Sequence, residues 1–175
     1  MPKFLLHTCC APCSIAIIEE LKDKYALTVL FYNPNIQPEE EYSKRKAEVV
    51  KVCSEWDVPM VDIDYETEKW QEATRGLETE PEGGARCVQC FNLRLNRTAD
   101  YAAKHAFNFF GTSLTSGRNK KADVIHPIGK VLADRYGIKF FDTDWKKGGR
   151  QEKANKLISE RNIYRQIYCG CVYSK

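Results

Sequence analysis

Short apolar runs alternate with longer amphipathic segments along the chain, and this alternation restricts its fold more than any other feature of the sequence. Such runs predict strands, whereas the segments between them have the length and periodicity of helices. The predicted strands cover residues 3–7, 27–32, 59–63, 108–111 and 138–141. Strands separated by helices pair in parallel through right-handed crossovers. We therefore expect an α/β fold, an open, mainly parallel five-stranded sheet with helices on both faces.

The 175 residues are predicted to form a single domain, 1–175, because neither an internal repeat nor a Pro/Gly/Ser-rich linker divides them. A domain of roughly 150 residues buries about 70% of its unfolded surface, so disulfides are not needed for stability. The C-terminal tail, residues 161–175, is a separate feature. Tyrosines and Ile167 surround the last two cysteines, and we expect this tail to dock at the active site.

The composition indicates a cytoplasmic protein. The N-terminus lacks the apolar run of a secretory leader, and no stretch approaches the roughly 18 apolar residues that a membrane span needs. We therefore expect no membrane partner. The net charge of +3 permits nucleic-acid binding without requiring it.

Seven of the eight cysteines fall in three tight groups, and only Cys53 stands alone. In a reducing compartment, clustered thiols usually bind metal or carry out redox chemistry. Cys53 recurs with apolar residues at helical spacing, so it is predicted to pack in the core. The three groups are Cys9-Cys10-Ala-Pro-Cys13, Cys87-Val-Gln-Cys90 and Cys169-Gly-Cys171.

The groups are far apart in sequence, so the fold itself must bring them together. In open parallel sheets, ligands bind beyond the carboxyl ends of the strands, at the point where the strand order reverses. If the first strand is central, this point follows His7 directly, and Cys9 and Cys10 lie at the mouth of the crevice. Cys87 and Cys90, at the start of a helix that leads into the fourth strand, can then face them.

The residues by themselves leave the role of these thiols open. Cys9, Cys10, Cys87 and Cys90 match the ligand count of a [4Fe–4S] cluster, but a Cys₄ zinc site and inert thiols remain alternatives. Cys13, one helical turn further on, is either a functional thiol or a half-buried helix residue.

Two further candidates lie in the last third of the chain. Cys169-Gly-Cys171 is a strained, easily reduced disulfide of the catalytic kind, a pair of metal ligands, or two idle thiols in a frayed tail. Asp142 follows the predicted fifth strand, so it is a candidate catalytic proton donor or metal ligand, with helix capping as the alternative.

The loop after the first strand contains no glycine, so its amides cannot wrap a phosphate closely and nucleotide hydrolysis is disfavoured. Basic residues near the predicted strand ends are instead candidates for contacts to RNA phosphates, with an aromatic residue to stack an exposed base. A solvated charged surface is the alternative. The candidate substrate-binding residues are Arg94, Arg118, Lys146, Arg165 and Tyr168.

Taken together, three motifs resemble those of the cobalamin-independent, QueH-type epoxyqueuosine reductases, and the resemblance covers essentially the whole chain. Any one motif alone is weak evidence, whereas the ordered set is specific. The motifs are His7-x-Cys-Cys-Ala-Pro-Cys13, Cys87-x-x-Cys90-Phe-x-Leu-Arg-Leu95 and Tyr164-Arg-Gln-x-Tyr-Cys-Gly-Cys171.

This resemblance implies an oxidoreductase of the last step of queuosine synthesis, which deoxygenates epoxyqueuosine at the wobble position of tRNA. The implied architecture resembles the adenine nucleotide alpha-hydrolase (HUP-like) fold. The reaction takes up two electrons and two protons, and we expect a ferredoxin- or flavodoxin-like external donor to supply the electrons. Asp142 or Tyr168 is the expected proton donor.

The resemblance also implies roles for the cysteines. Cys169 and Cys171 match the redox-active pair of the family. An additional mononuclear iron is associated with the family, and Cys13, Asp142 or a tail cysteine is its candidate ligand. The implied ligands of the [4Fe–4S] cluster are Cys9, Cys10, Cys87 and Cys90.

Two other classes of protein remain as alternatives. One is a zinc-stabilised RNA-binding module without catalysis, which would contain zinc but neither iron nor sulfide. The other is an ATP-dependent tRNA-thiolating enzyme, and the missing phosphate loop argues against the ATP hydrolysis that it requires.

Overall fold

The structure is a computed structural model that describes residues 1–175. Its five strands are β1 (Lys3–His7), β2 (Ala26–Phe31), β3 (Met60–Asp62), β4 (Phe109–Thr112) and β5 (Lys139–Phe140). They form one sheet in the order β3-β2-β1-β4-β5, and every pairing is parallel. The predicted parallel α/β sheet is confirmed, and β1 is its central strand.

Of the six α-helices, five lie between strands and the sixth follows the last strand, and none of them combines the length and apolar character needed to cross a membrane. Two short 3₁₀ turns cover Leu114–Ser116 and Val172–Ser174. The helices are α1 (Ala11–Leu21), α2 (Glu39–Glu55), α3 (Thr67–Thr74), α4 (Ala85–Lys104), α5 (Ala122–Tyr136) and α6 (Arg150–Arg161).

Two of these helices depart from what the sequence pattern indicates. Proline's preference for the first turn predicts a helix start near His126, but α5 begins at Ala122 and contains Pro127. The proline removes one backbone hydrogen bond, and Asp123 in the first turn stabilises the earlier start through the helix dipole. The α6 helix buries only Ala154 and Ile158, so its apolar periodicity is too weak to predict it.

Alternate side chains of β1 point into two separate cores. Phe4 and Leu6 pack with α1, α2 and α6 on one face of the sheet, whereas Leu5 packs with α4 and α5 on the other. This alternation follows from the pleat of a strand, whose successive side chains point to opposite faces. Helices therefore cover both faces, as predicted, and Cys53 is buried in the first core.

Gly129 of α5 lies against the Phe140 ring of β5, and a Cβ at this position would lie 2.4 Å from the ring. We expect Gly129→Ala to lower the free energy of unfolding by about 1–3 kcal/mol, because overpacking outweighs the better helix propensity of alanine. Urea denaturation measures the change. The control is Asp134→Ala on the exposed side of the same helix, for which we expect less than about 0.5 kcal/mol. Equal stabilities of the two variants would contradict the close packing.

Candidate active site

The loops after β1 and β4 meet where the strand order reverses. Ser113 joins them, because its backbone N–H donates to the His7 carbonyl at 2.9 Å and its Oγ accepts from the Cys9 N–H at 3.3 Å. A cavity of about 520 Å³ opens at this point, and Cys9, Cys10 and Cys13 contribute to its lining. Ligand pockets typically enclose about 300–1,000 Å³, so a nucleobase fits.

The first thiol group is built at the start of α1. Cys10 is the extended residue that caps the helix, and Cys13 lies in its first turn, beside Cys9. The three sulfur atoms all lie within 4.8 Å of one another, which is close enough for one metal ion. Hydrogen bonds to Cys10 and Cys13 hold the pKa of the Cys9 thiol well below its ordinary value, although burial opposes them. This group therefore favours a thiolate at Cys9.

The second thiol group lies at the start of α4. Cys87 and Cys90, in its first two turns, line a smaller cavity of about 20 Å³ together with Cys169 and Cys171 of the tail. Cys169 lines both cavities, so it lies between the two groups. Every cysteine carries a free thiol, and the C-terminal pair forms no disulfide in this structure.

Each of the four sulfurs predicted to hold a cluster has a hydrogen-bonding group beside it. Such bonds stabilise thiolates and tune the reduction potential of iron–sulfur centres. The donors come from four different segments of the chain. The pairs are Ser113 Oγ with Cys9 at 3.4 Å, Gln166 Nε2 with Cys10 at 2.9 Å, the Gly83 N–H with Cys87 at 3.2 Å and Arg94 Nη1 with Cys90 at 3.7 Å.

Two cations lie beside these sulfurs without a carboxylate partner. Arg94 is 1% exposed, and its Nη2 donates to Asn33 Oδ1 at 2.7 Å. Lys120 lines both cavities, and its ammonium takes part in no hydrogen bond or ion pair. Burial lowers the pKa of Lys120, but the charges of Cys169, Cys9 and Cys13 outweigh burial and raise it above the ordinary value. The site therefore holds two cations that form no ion pair with a carboxylate in this structure.

The tail is held by the N-terminal half of α2. The buried Arg45 donates from Nη1 to the Cys169 carbonyl at 2.7 Å and from Nη2 to the Tyr168 carbonyl at 3.0 Å. Its Nε pairs with Glu41 at 2.9 Å, and the Tyr164 hydroxyl donates to the same carboxylate. On the opposite side, the Tyr173 ring stacks on Trp70 with 6.3 Å between centroids. These contacts position the C-terminal cysteines.

The structure brings some predicted substrate-binding residues to the cavity and not others. Arg94, Arg118 and Tyr168 line the large cavity, but Arg94 lies buried at the sulfurs rather than on an RNA-binding rim, because Asn33 holds its guanidinium there. Lys146 and Arg165 lie outside it, in a neighbouring groove of about 460 Å³ that shares Cys13 and Arg118 with the cavity.

Asp142 follows β5 at the ligand end of the sheet, as expected, but it lines neither cavity. Its side chain is 58% exposed and pairs with Lys130 at 3.5 Å. The physical reason is that β5 is a two-residue strand at the sheet edge, one strand away from the crevice between β1 and β4. The role of Asp142 as a proton donor or metal ligand stays a prediction.

His7 is a structural residue despite its position beside the site. It is fully buried, with Nδ1 2.9 Å from Thr112 Oγ1 and Nε2 3.1 Å from the Tyr32 carbonyl. Burial lowers its pKa to about 4, so the ring is neutral at physiological pH. Its role is to join β1, β2 and β4 beneath the cavity.

The roles of three residues of this site were not predicted from the sequence. Ser113 follows β4, the neighbour of β1, so the rule for strand ends would have placed it at the site. Gln166 belongs to the third motif and Lys120 is one of several basic residues near the strand ends, but nothing in the sequence indicates that they lie beside the sulfurs.

The fold and the site define a parallel α/β protein with a thiol-rich, cationic cavity at its switch point, which is a setting for redox or metal chemistry. A family model described as epoxyqueuosine reductase QueH matches residues 4–175. The chain belongs to this family and is thus an oxidoreductase.

Curated relatives agree over nearly the whole chain. The epoxyqueuosine reductase QueH of Acinetobacter baylyi is 40% identical over 174 residues, which cover 98% of this chain and 80% of the relative. The protein of the same name from Thermotoga maritima is 39% identical over 177 residues and covers 99% and 91%.

A solved structure shares the fold. The U34-tRNA thiolase NcsA from Methanococcus maripaludis, determined with its [4Fe–4S] cluster, aligns with a TM-score of 0.63 at 14% identity. The match covers 99% of this chain but only 61% of the thiolase, so the chain spans about three fifths of that protein. The predicted resemblance to the adenine nucleotide alpha-hydrolase architecture is confirmed.

Proposed function

We propose that this chain reduces epoxyqueuosine to queuosine at the wobble position of tRNA, and that Cys9, Cys10, Cys87 and Cys90 hold an iron–sulfur cluster of the [4Fe–4S] type. Family membership supports the reaction and disfavours the zinc-stabilised module. The observation that supports the cluster is the hydrogen-bonding group beside each of these four sulfurs, an N–H donor in three cases and the Ser113 hydroxyl in the fourth.

The charges of the site fit an anionic group. An unpaired buried charge costs several kcal/mol, roughly 3–5 where one partner of a buried pair is missing. Arg94 has no carboxylate partner, whereas its Nη1 lies 3.7 Å from Cys90 Sγ, one of the four proposed ligands. Cys87 and Cys90 lie outside the close group of Cys9, Cys10 and Cys13, as suits a polynuclear centre with separated corners rather than a single ion.

The residues around the proposed cluster would prepare the reaction. A cluster bound here supplies electrons one at a time. The large cavity receives the modified base, with the Tyr168 ring and Arg118 on its wall. Arg118 also lines the neighbouring groove with Lys146 and Arg165, so RNA phosphates can follow the groove while the base enters the cavity. The tail, residues 161–175, closes this site.

Three finer assignments belong to the same proposal. Cys169 and Cys171 act as a redox-active pair, supported by their position in the small cavity beside Cys87 and Cys90. Cys13 is the candidate ligand of an additional mononuclear iron, supported by its place within 4.8 Å of Cys9 and Cys10. A ferredoxin- or flavodoxin-like donor delivers the electrons, and the tRNA substrate makes the reaction cytoplasmic.

Incubation of tRNA that carries epoxyqueuosine with the reduced, cluster-replete protein tests the proposal. Mass analysis of the nucleosides is expected to show the loss of one oxygen from the modified base. The matched control is the same protein loaded with zinc instead of iron. Unchanged nucleoside mass with the iron-loaded, reduced protein would contradict the proposed reaction.

A further inference from the structure

Lys120 brings a positive charge to the site that no carboxylate neutralises. It lies between β4 and α5, just before the helix begins at Ala122, and it lines both the large and the small cavity. Among the ion pairs and hydrogen bonds of the structure, none involves its ammonium. A lysine ammonium that lies at the junction of two cavities and forms no hydrogen bond within the protein is available to a bound molecule.

The position of this side chain is restricted by its own loop. Gly117 lies directly against the Lys120 side chain. A Cβ at Gly117 would be 3.0 Å from Lys120 Cδ and 3.3 Å from Lys120 Nζ. The Lys120 carbonyl accepts a hydrogen bond from the Lys146 ammonium, which holds the backbone as well. The free ammonium is therefore directed at the site by packing.

The sulfurs do not need Lys120 as a hydrogen-bond donor. Ser113, Gln166, the Gly83 amide and Arg94 already serve the four candidate ligands. Arg94 also lines the large cavity, but its guanidinium is already held by Asn33. Lys120 and Arg118 are the cations of that cavity without a hydrogen bond or ion pair, and only Lys120, which is half-buried, lines the small cavity as well.

We propose that Lys120 is a catalytic residue whose ammonium binds the epoxide oxygen of the substrate and stabilises the negative charge that develops on it. This inference rests on the proposed function. In the overall step both C–O bonds break, a C=C bond forms, and the oxygen leaves as water with two protons from solvent. Two electrons come from the external one-electron donor, which is oxidised.

Other polar groups of the cavity suit this role less well. Asp142 is remote and exposed, and the Tyr168 hydroxyl already donates to the Gln37 carbonyl. Glu82 lines the cavity, but a carboxylate would repel a developing oxyanion. A fixed cation aimed at developing charge is the usual electrostatic device of enzymes, and loss of one such group costs about 10²–10³ in kcat.

A binding comparison tests the contact without turnover. Cluster-replete, oxidised protein without reductant is titrated with tRNA that carries epoxyqueuosine and with tRNA that carries queuosine. We expect the wild type to prefer the epoxide form by about tenfold, since a charged hydrogen bond is worth at least 1.4 kcal/mol. Lys120→Met should lose this preference, whereas Lys121→Met, which alters an exposed neighbour, should keep it.

Turnover of the same variants tests the catalytic part. Lys120→Met should lower kcat about 10²–10³-fold with little change in the KM for tRNA, because phosphate contacts lie elsewhere. Lys120→Arg, which keeps the charge, should recover part of the loss. Lys120→Gln replaces the Met variant if that variant loses its iron.

The outcomes separate this inference from the function on which it rests. If wild type removes oxygen and Lys120→Met turns over as fast as Lys121→Met at equal iron content, only the role of Lys120 is wrong. The proposed role of Lys120 is also wrong if Lys120→Met keeps the wild-type preference for tRNA that carries epoxyqueuosine. If wild type itself removes no oxygen, the proposed function fails.

Discussion

Cys90→Ser is expected to abolish both cluster binding and the reduction of epoxyqueuosine tRNA. Cys90 is 7% exposed, receives a hydrogen bond from Arg94 and packs beside Trp70 and Cys171. A serine hydroxyl at this buried position does not replace a thiolate ligand of iron. Iron and sulfide content, absorbance near 400 nm (the usual region for such clusters) and nucleoside mass analysis measure the loss.

The matched control for this experiment is Cys53→Ala. Cys53 lies in α2 and is buried in the core on one face of the sheet. Burial raises the pKa of its thiol to about 11, so the thiol is unreactive. This variant should keep its iron, its colour and its activity, with only a modest loss of stability. Wild-type turnover in Cys90→Ser at full iron content would defeat the assignment of Cys90 as a ligand.

Arg45→Met is expected to release the C-terminal tail and lower the free energy of unfolding by about 3 kcal/mol. Arg45 is 2% exposed, and its loss leaves the Tyr168 and Cys169 carbonyls without donors and the Glu41 carboxylate without its cation. Urea denaturation measures the stability. Limited trypsin digestion, followed by mass analysis, measures faster cleavage after Arg165 in the released tail.

Activity should fall together with tail docking. Because Arg45 fixes the carbonyl of Cys169, its loss moves a thiol that lines both cavities, and we expect turnover to fall at least tenfold. The control is Lys51→Met on the exposed face of the same helix, with a stability change below about 0.5 kcal/mol. Equal cleavage rates at Arg165 in the two variants would show that Arg45 does not hold the tail.

Much of the fold could be predicted because it depends on local patterns. The apolar runs place all five strands within one or two residues, and strands separated by helices lead to a parallel sheet. Ligands bind where the strand order of a parallel sheet reverses, so the predicted strands also indicate a site directly after β1. By contrast, α6 escaped prediction because its buried face consists of only Ala154 and Ile158.

The sequence alone determined the chemistry available to this protein: clustered thiols, a loop without phosphate-binding glycines, and ordered motifs that identify the family. Only the tertiary structure decided where that chemistry acts. It turned Asp142 toward solvent at the sheet edge, buried Arg94 against sulfur and brought Gln166 of the tail to Cys10. Gln166 is 156 positions from Cys10, the Asn33 side chain that holds Arg94 is 61 positions away from it, and the place of Asp142 depends on the edge that β5 occupies, so packing between elements sets these positions rather than local sequence.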